Sequence, residues 1–168
     1  KNQGSDIIVD GGTQGAIFYN CLFEGVSIHS NGHPSFYNCT FVGFKRQAIN
    51  CFGEGVSSVV NCIFVGANSD AKAIRFSRDD VATVYKVSHS IITSNDKDIS
   101  SSDHAGSGSI TYESSCVVVD PLFVDVAYGD SPRGFGSPST YSGDPESRKA
   151  PAGCPSDMGP VPPRVTLL

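Results

Sequence analysis

One pattern of apolar and polar residues recurs along this chain, and we call this repeated motif the phrase. An aromatic or valine pair precedes an asparagine or a related residue and a cysteine, and a phenylalanine and a glycine follow. The phrase occurs as FYNCLFEG at residues 18–25, FYNCTFVG at 36–43 and VVNCIFVG at 59–66. Weaker copies are KVSHSIIT at 86–93 and YESSCVVV at 112–119, with Ser90 and Cys116 at the cysteine position. A period of roughly 20 to 30 residues predicts a solenoid of about five coils, each burying the next.

A second apolar segment lies between successive copies of the phrase. Its copies read GVSIHS, QAINCF, AIRFSR and KDISSS, and they align on Ile28, Ile49, Ile74 and Ile99. Residues that favour turns, mainly Gly, Asn, Asp and Ser, separate the segments. The sequence therefore predicts an all-β fold with two strand-like pieces in each repeat.

The phrase, taken as one continuous strand, has two faces because side chains alternate across a strand. The predicted core face carries Tyr19, Cys21 and Phe23 with their equivalents in later copies, together with Ile28, Ile49 and Ile74 of the second segment. On the opposite face, stacked side-chain amides are predicted to form a ladder. Its members are Asn20, Asn38 and Asn61, continued by His89 and Ser115.

The other outward positions are unexpectedly apolar. They form two rows, Phe18, Phe36, Val59 and Val87, and Leu22, Thr40, Ile63, Ile91 and Val117. Large apolar patches are rare on soluble monomers, so we expect the Pro- and Gly-rich tail at 126–168 to cover one part and a partner chain the rest. The first row is the predicted interface. No amphipathic cap precedes the first strand-like stretch, and an uncapped coil exposes unpaired backbone. We therefore expect either that earlier coils have been cut away or that another molecule supplies the cap.

The six cysteines are predicted to be mainly free thiols. In an exported chain this number would ordinarily indicate disulfides. Here Cys21, Cys39 and Cys62 stack in parallel, whereas a disulfide needs converging Cβ vectors. We expect these three to be reduced and buried as small apolar residues. Cys154 could pair with Cys51 or remain free, and zinc is not expected because no paired Cys or His spacing occurs.

Composition narrows the class of protein further. The chain has 168 residues, 39% hydrophobic and 17% charged, which fits one globular domain. A net charge of −5 without a basic run argues against a nucleic-acid partner. The apolar runs are too short for membrane insertion. Because the chain begins at Lys1 without a Met, we expect it to be processed or excised from something longer.

The phrase N-C-[TLI]-F-x-G resembles that of secreted and surface proteins of the pectate-lyase-like superfamily. VVVDPLFVD at 117–125 looks like the closing segment of such a coil, and GSPSTYSGDP at 136–145 and SDMGPV at 156–161 are similar to the tail that follows it. The resemblance implies a right-handed parallel β-helix at residues 1–125 with an extended C-terminal tail at 126–168. It does not fix function, because the fold carries lyases, hydrolases, adhesins, phage spikes and inert scaffolds alike.

An enzyme on this fold would need carboxylates and a cation on one outward strand face. The best candidate row is His29, Asn50, Arg75 and Ser100, which we predict to form a binding face. Arg75, Asp79 and Asp80 are the candidate catalytic residues, with calcium expected only if the protein is a lyase. A lyase needs a base beside a cation, and a hydrolase needs two acids at close range. As neighbours in sequence, Asp79 and Asp80 would splay apart if extended, so a solvated turn is the simpler interpretation.

Two functional classes follow. The first is a non-catalytic extracellular module on a cell surface, filament or virion, without a cofactor, that associates with itself or a larger assembly. The second is a polysaccharide lyase or glycoside hydrolase, or the C-terminal part of one. About five coils would give a groove of about 24 Å, with room for few sugars. We favour the first class because no acid cluster is evident.

Overall fold

The computed structural model describes residues 5–9, 15–76, 83–93, 109–116, 119, 123–125 and 130–133. The described residues contain strands and no helix. The first sheet contains β1 (Ser5–Val9), β4 (Val26–Ser30), β7 (Gln47–Cys51) and β10 (Lys72–Phe76). The second contains β2 (Ile17–Tyr19), β5 (Ser35–Tyr37), β8 (Gly55–Val60), β11 (Thr83–Ser88) and β13 (Ser109–Tyr112). The third contains β3 (Leu22–Glu24), β6 (Thr40–Phe44), β9 (Ile63–Gly66) and β12 (Ile91–Thr93).

The chain visits the three sheets in the same order on each pass. It runs through β2, β3 and β4, then β5, β6 and β7, then β8, β9 and β10. Each of these strands pairs in parallel with its counterpart in the adjoining pass. This all-β arrangement is consistent with a parallel β-solenoid, and the sequence repeat is its structural unit. We refer to the passes that begin at β2, β5 and β8 as the first, second and third coils.

The asparagine of each phrase is a corner between two strands. Asn20, Asn38 and Asn61 have φ angles of 55°, 54° and 57°, and His89 has 45°. These angles lie in the left-handed region, which Asn tolerates better than most residues because its short polar side chain bonds locally. The phrase is therefore not one continuous strand, and that prediction is wrong.

The corner changes which side chains face the core. Phe36, Val59 and Val87 precede it, and all three are fully buried in the main core, with Phe18 packed against them. The predicted outward orientation of this row is wrong, because the turn at the asparagine restarts the alternation of faces. By the same reversal Tyr19 is exposed. Beyond the corner, the cysteine and phenylalanine positions face inward as predicted.

The core consists of like residues stacked from coil to coil. The Phe23 and Phe41 rings lie 4.7 Å apart at 15°, and the Phe41 and Phe64 rings 4.8 Å apart at 3°. The predicted ladder of Ile28, Ile49 and Ile74 is confirmed, since all three are fully buried and paired in register. Parallel rings at the strand spacing extend the hydrophobic contact without a gap.

The corners differ in how much their lengths vary. Two residues connect the second sheet to the third in the four passes for which both strands are described: Asn20 and Cys21, Asn38 and Cys39, Asn61 and Cys62, and His89 and Ser90. The connection from the third sheet to the first is Gly25 alone in the first coil, residues 45–46 in the second and 67–71 in the third. Gly25 has a φ of 65°, a conformation open to glycine at no steric cost.

Two short strands lie outside the three sheets. β14 (Phe123–Asp125) pairs antiparallel with β15 (Asp130–Arg133). β15 falls within the predicted tail at 126–168. The rest of that tail lies outside the described residues.

Candidate functional site

The predicted outward row on the first sheet is present. Backbone pairing places His29 beside Asn50 and Asn50 beside Arg75, with Ile8 of β1 next to His29. Their neighbours Ile28, Ile49 and Ile74 face the core, so this row faces away from it. Ser100, its predicted fourth member, lies outside the described residues, as do Asp79 and Asp80.

Asp6 of β1 joins this row. Its Oδ1 lies 3.4 Å from His29 Nε2, and the His29 ring stacks on Phe52 with centroids 5.8 Å apart. The Asp6 side chain is more than half exposed, and a pair this exposed contributes little to stability. The sequence analysis missed Asp6 because β1 precedes the first copy of the phrase. Aligning Ile7 with Ile28, which the structure pairs, would have found it.

The side chains of this row can form hydrogen bonds and include charged groups, but its described part does not contain the pair of carboxyl groups that glycoside hydrolysis needs. Glycoside hydrolysis needs two carboxyl groups across the scissile bond, and Asp6 is the carboxylate that the described residues bring to this row. Asn50 is buried between its neighbours and Arg75 is half-buried. Across the parts of the chain that the structure describes, no group of three His, Cys, Asp or Glu side chains could hold a metal ion.

The corner residues form the predicted ladder in part. Asn61 Nδ2 donates a hydrogen bond to Asn38 Oδ1 at 3.0 Å. Further along, the backbone N–H of His89 donates to Ser115 Oγ at 2.9 Å. The ladder is thus real, although it lies along a corner of the coil and not on a strand face.

The cysteines are free thiols in every described position. Cys39 and Cys62 are buried as predicted, whereas Cys21 is only half-buried. Cys51 is also free, with its Sγ donating to the Gly32 carbonyl at 3.3 Å. Cys154 lies outside the described residues.

Each ladder thiol caps its own corner. Cys21, Cys39 and Cys62 donate to the carbonyl two residues earlier, at 3.3, 3.4 and 3.4 Å. Ser90 makes the equivalent bond to Ser88 at 2.8 Å. Burial raises the pKa of Cys21 and, more strongly, that of Cys62, while a hydrogen bond from the Cys62 thiol lowers the pKa of Cys39.

Exposed apolar side chains concentrate at the start of the stack. Among the described residues, five of the seven large exposed hydrophobics belong to β1, β2 and β3: Ile7, Ile8, Ile17, Tyr19 and Leu22. β1, β2 and β3 are also the outermost strands of their sheets at this end. We call this surface the open coil end.

The second predicted apolar row is exposed only at its start. Leu22 is exposed, but Thr40, Ile63 and Ile91 are buried within the single chain, where Ile63 and Ile91 pack with Val65 in a cluster apart from the main core. Val117, the last member of this row, lies outside the described residues. Most of the described part of this row is therefore not exposed to solvent.

Comparison with known proteins assigns no family. No protein-family model, no curated protein and no solved structure matches this chain. Within the described residues, no helix has the length and apolar character needed to cross a membrane. The repeat and the three parallel sheets are thus the basis for the proposals that follow.

Proposed function

We propose that this chain is a non-catalytic extracellular module that associates with itself, or with a larger assembly on a cell surface, filament or virion, through its open coil end. The proposed fold is a right-handed parallel β-helix of the pectate-lyase-like superfamily with about five coils. The observation that supports association is the concentration of exposed apolar side chains on β1, β2 and β3.

The open coil end has two properties that favour a partner. Its strands are the outermost in their sheets at this end, and outermost strands can pair with strands of another chain. Its aromatic stacks also stop there, since Phe18 stacks on Phe36 at 5.1 Å and Tyr19 on Tyr37 at 5.0 Å. A partner strand would continue both the hydrogen-bond ladders and the stacks.

The structure changes where association is proposed. The originally predicted interface row, Phe18, Phe36, Val59 and Val87, is core, so it offers no outer surface. Replacing Phe36 with Asp would unfold the coil before it tested an interface. Residues of the open coil end take its place.

Ile17 provides the test, because it is 58% exposed in β2, and Val56 provides a matched control, because it is 53% exposed in β8. Sedimentation velocity of the wild type should show concentration-dependent association. Ile17→Lys should weaken it by ten-fold or more, about 1.4 kcal/mol, while Val56→Lys leaves it unchanged. A wild type that stays monomeric at high concentration would refute the proposal, as would equal effects of the two variants.

A second candidate function is cleavage or binding of a polysaccharide. It is favoured by the register that places His29, Asn50 and Arg75 on one outward face, beside Asp6. In this interpretation Arg75→Ala and Asp79→Ala abolish turnover of acidic or neutral glycans, and a chelator abolishes it if calcium is required. Assembly would be unaffected by either substitution, which distinguishes the two candidates.

A further inference from the structure

The thiols of Cys21 and Cys39 belong to adjoining coils that are held in register. The N–H of Thr40 donates to the Cys21 carbonyl at 2.9 Å, and the N–H of Asn20 donates to the Tyr37 carbonyl at 3.0 Å. In-register positions on adjoining strands lie about 4.8 Å apart, within the Cα separation that a disulfide accepts. The backbone therefore brings this pair close enough for a bond between sulfur atoms.

The sulfur of Cys39 leans toward the first coil. Its Sγ lies 3.6 Å from the Phe18 carbonyl oxygen, which belongs to the coil that carries Cys21. Cys62 leans in the same way toward the second coil, with its Sγ 3.6 Å from the Phe36 carbonyl oxygen. Because Cys39 and Cys62 lean in the same direction, the ladder stays parallel. A bond between Cys21 and Cys39 therefore also needs the Cys21 side chain, which donates to the Tyr19 carbonyl at 3.3 Å, to rotate toward Cys39.

Access to solvent separates the two pairs. Cys21 is half-buried at the open coil end, whereas Cys39 and Cys62 are fully buried. Cys21 also lies between β2 and β3 in the outermost described coil of these sheets, so its backbone can adjust more easily than that of Cys62. A bulky reagent can therefore reach the ladder at Cys21 but not at Cys39 or Cys62.

We propose that Cys21 and Cys39 form a thiol–disulfide exchange site, at which a small disulfide such as oxidised glutathione converts the pair into a disulfide joining the first two coils. The Cys21 thiolate attacks one sulfur of the reagent, which breaks the S–S bond and releases one thiolate. The Cys39 thiolate then attacks the Cys21 sulfur and releases the second. Two cysteine thiols and one reagent disulfide thus become one protein disulfide and two reagent thiols.

The electrostatics assign the two roles. Burial and the nearby Cys39 raise the pKa of Cys21, so the first attack should accelerate as pH rises above neutrality. The hydrogen bond from Cys62 lowers the pKa of Cys39, which favours the thiolate needed for the second attack. Cys62 itself does not enter the disulfide.

The test uses the full chain with Cys116→Ser and Cys154→Ser, so that neither the half-buried Cys116 nor Cys154, which lies outside the described residues, contributes to the reaction. Serine already occupies the cysteine position of the ladder at Ser90, where its hydroxyl caps the corner. The folded protein is incubated with oxidised glutathione, quenched with acid and measured by intact mass and peptide mapping. Loss of about 2 Da, with a bond between the Cys21 and Cys39 peptides, is the expected result.

Single variants separate the two steps. Cys39→Ser should accumulate one glutathione on Cys21, because the second attack is blocked, and Cys21→Ser should not react. Cys62→Ser should still form the same disulfide. A lasting glutathione adduct on Cys21 with Cys39 intact would overturn the proposal, as would an unreactive Cys21 or a bond between Cys39 and Cys62.

Discussion

The first and second coils carry almost the same phrase, FYNCLFEG and FYNCTFVG, yet they are buried to different degrees. In the second coil Phe36, Cys39 and Phe41 are fully buried. The equivalent residues of the first coil are only partly buried at Phe18 and Cys21, and 8% exposed at Phe23. Residue type is the same in both, so position in the stack decides burial. Each coil completes the core of its neighbour. Among the described strands, β2 and β3 of the first coil have a neighbour on one side only, whereas β4 lies between β1 and β7.

The largest expected difference between these coils is in ring truncation. Phe41→Ala should lower the free energy of unfolding by about 3 to 5 kcal/mol, since Phe41 stacks on Phe23 at 4.7 Å and on Phe64 at 4.8 Å. Phe23→Ala should cost clearly less, because in this stack Phe23 has a ring partner on one side only. Urea unfolding of both variants measures the difference, and equal losses would mean that the first coil is covered in solution.

A smaller difference is expected at the corners. Asn61→Ala loses both a left-handed residue and the 3.0 Å bond to Asn38, at a cost of about 2 to 3 kcal/mol. Asn20 shares the left-handed φ but is exposed, so Asn20→Ala should cost about 1 to 2 kcal/mol.

Glycine variants separate the contribution of the positive φ from that of the side-chain amide. Asn20→Gly should restore most of the lost stability, because glycine adopts a positive φ freely. Asn61→Gly should restore only part, because it still lacks the amide. Thermal melts of the four variants would contradict this interpretation if the two corners responded alike.

The smallest expected effect is on the pH dependence of stability. Burial raises the pKa of Cys62 well above its usual value. Stability from the neutral thiol is then fully present below the pKa of an unfolded cysteine, about 8.5, and is lost as pH rises toward the folded pKa. The slope is at most about 1.4 kcal/mol per pH unit for one proton.

Serine variants isolate this slope. Cys62→Ser should flatten the loss of stability between pH 8 and 10, roughly the range in which an unfolded thiol ionises. Cys21→Ser should flatten it less, because Cys21 is only half-buried. Denaturant unfolding at stepped pH provides the measurement, and a larger effect at Cys21 would contradict the burial gradient.

Sequence predicts the stacking partners in this fold well. The spacing of the phrase placed Cys39 and Cys62 in one ladder and Ile28 and Ile49 in another, because a coil can add to the stack only in register. It also predicted the outward row of His29 and Asn50. These are statements about which residues are equivalent, and a repeat encodes equivalence directly.

The spacing of the repeats could not predict which side chains on either side of the corner face the core. One continuous strand and two strands joined by a corner can have the same pattern of apolar residues. That pattern does not reveal the positive φ of Asn38, which makes the corner. One signal was present: Phe36 and Phe41 are both large and apolar but lie at opposite parity on a continuous strand. A corner between them, at a residue that tolerates positive φ, would have placed both rings in the core.

The constant corner of two residues between the second and third sheets fixes the phase of the stack, while the connections from the third sheet to the first differ in length from coil to coil. Each coil thus has one connection of constant length, between the second and third sheets, while its other connections vary in length from coil to coil. The exposed turn at 67–70 belongs to a connection of variable length, and in it Asn68 Oδ1 accepts from the Asp70 N–H at 3.0 Å. We expect a foreign peptide inserted at this turn to be displayed on the surface without shifting the stacked core residues. Duplicating one whole coil would lengthen the stack by one strand spacing, about 4.8 Å.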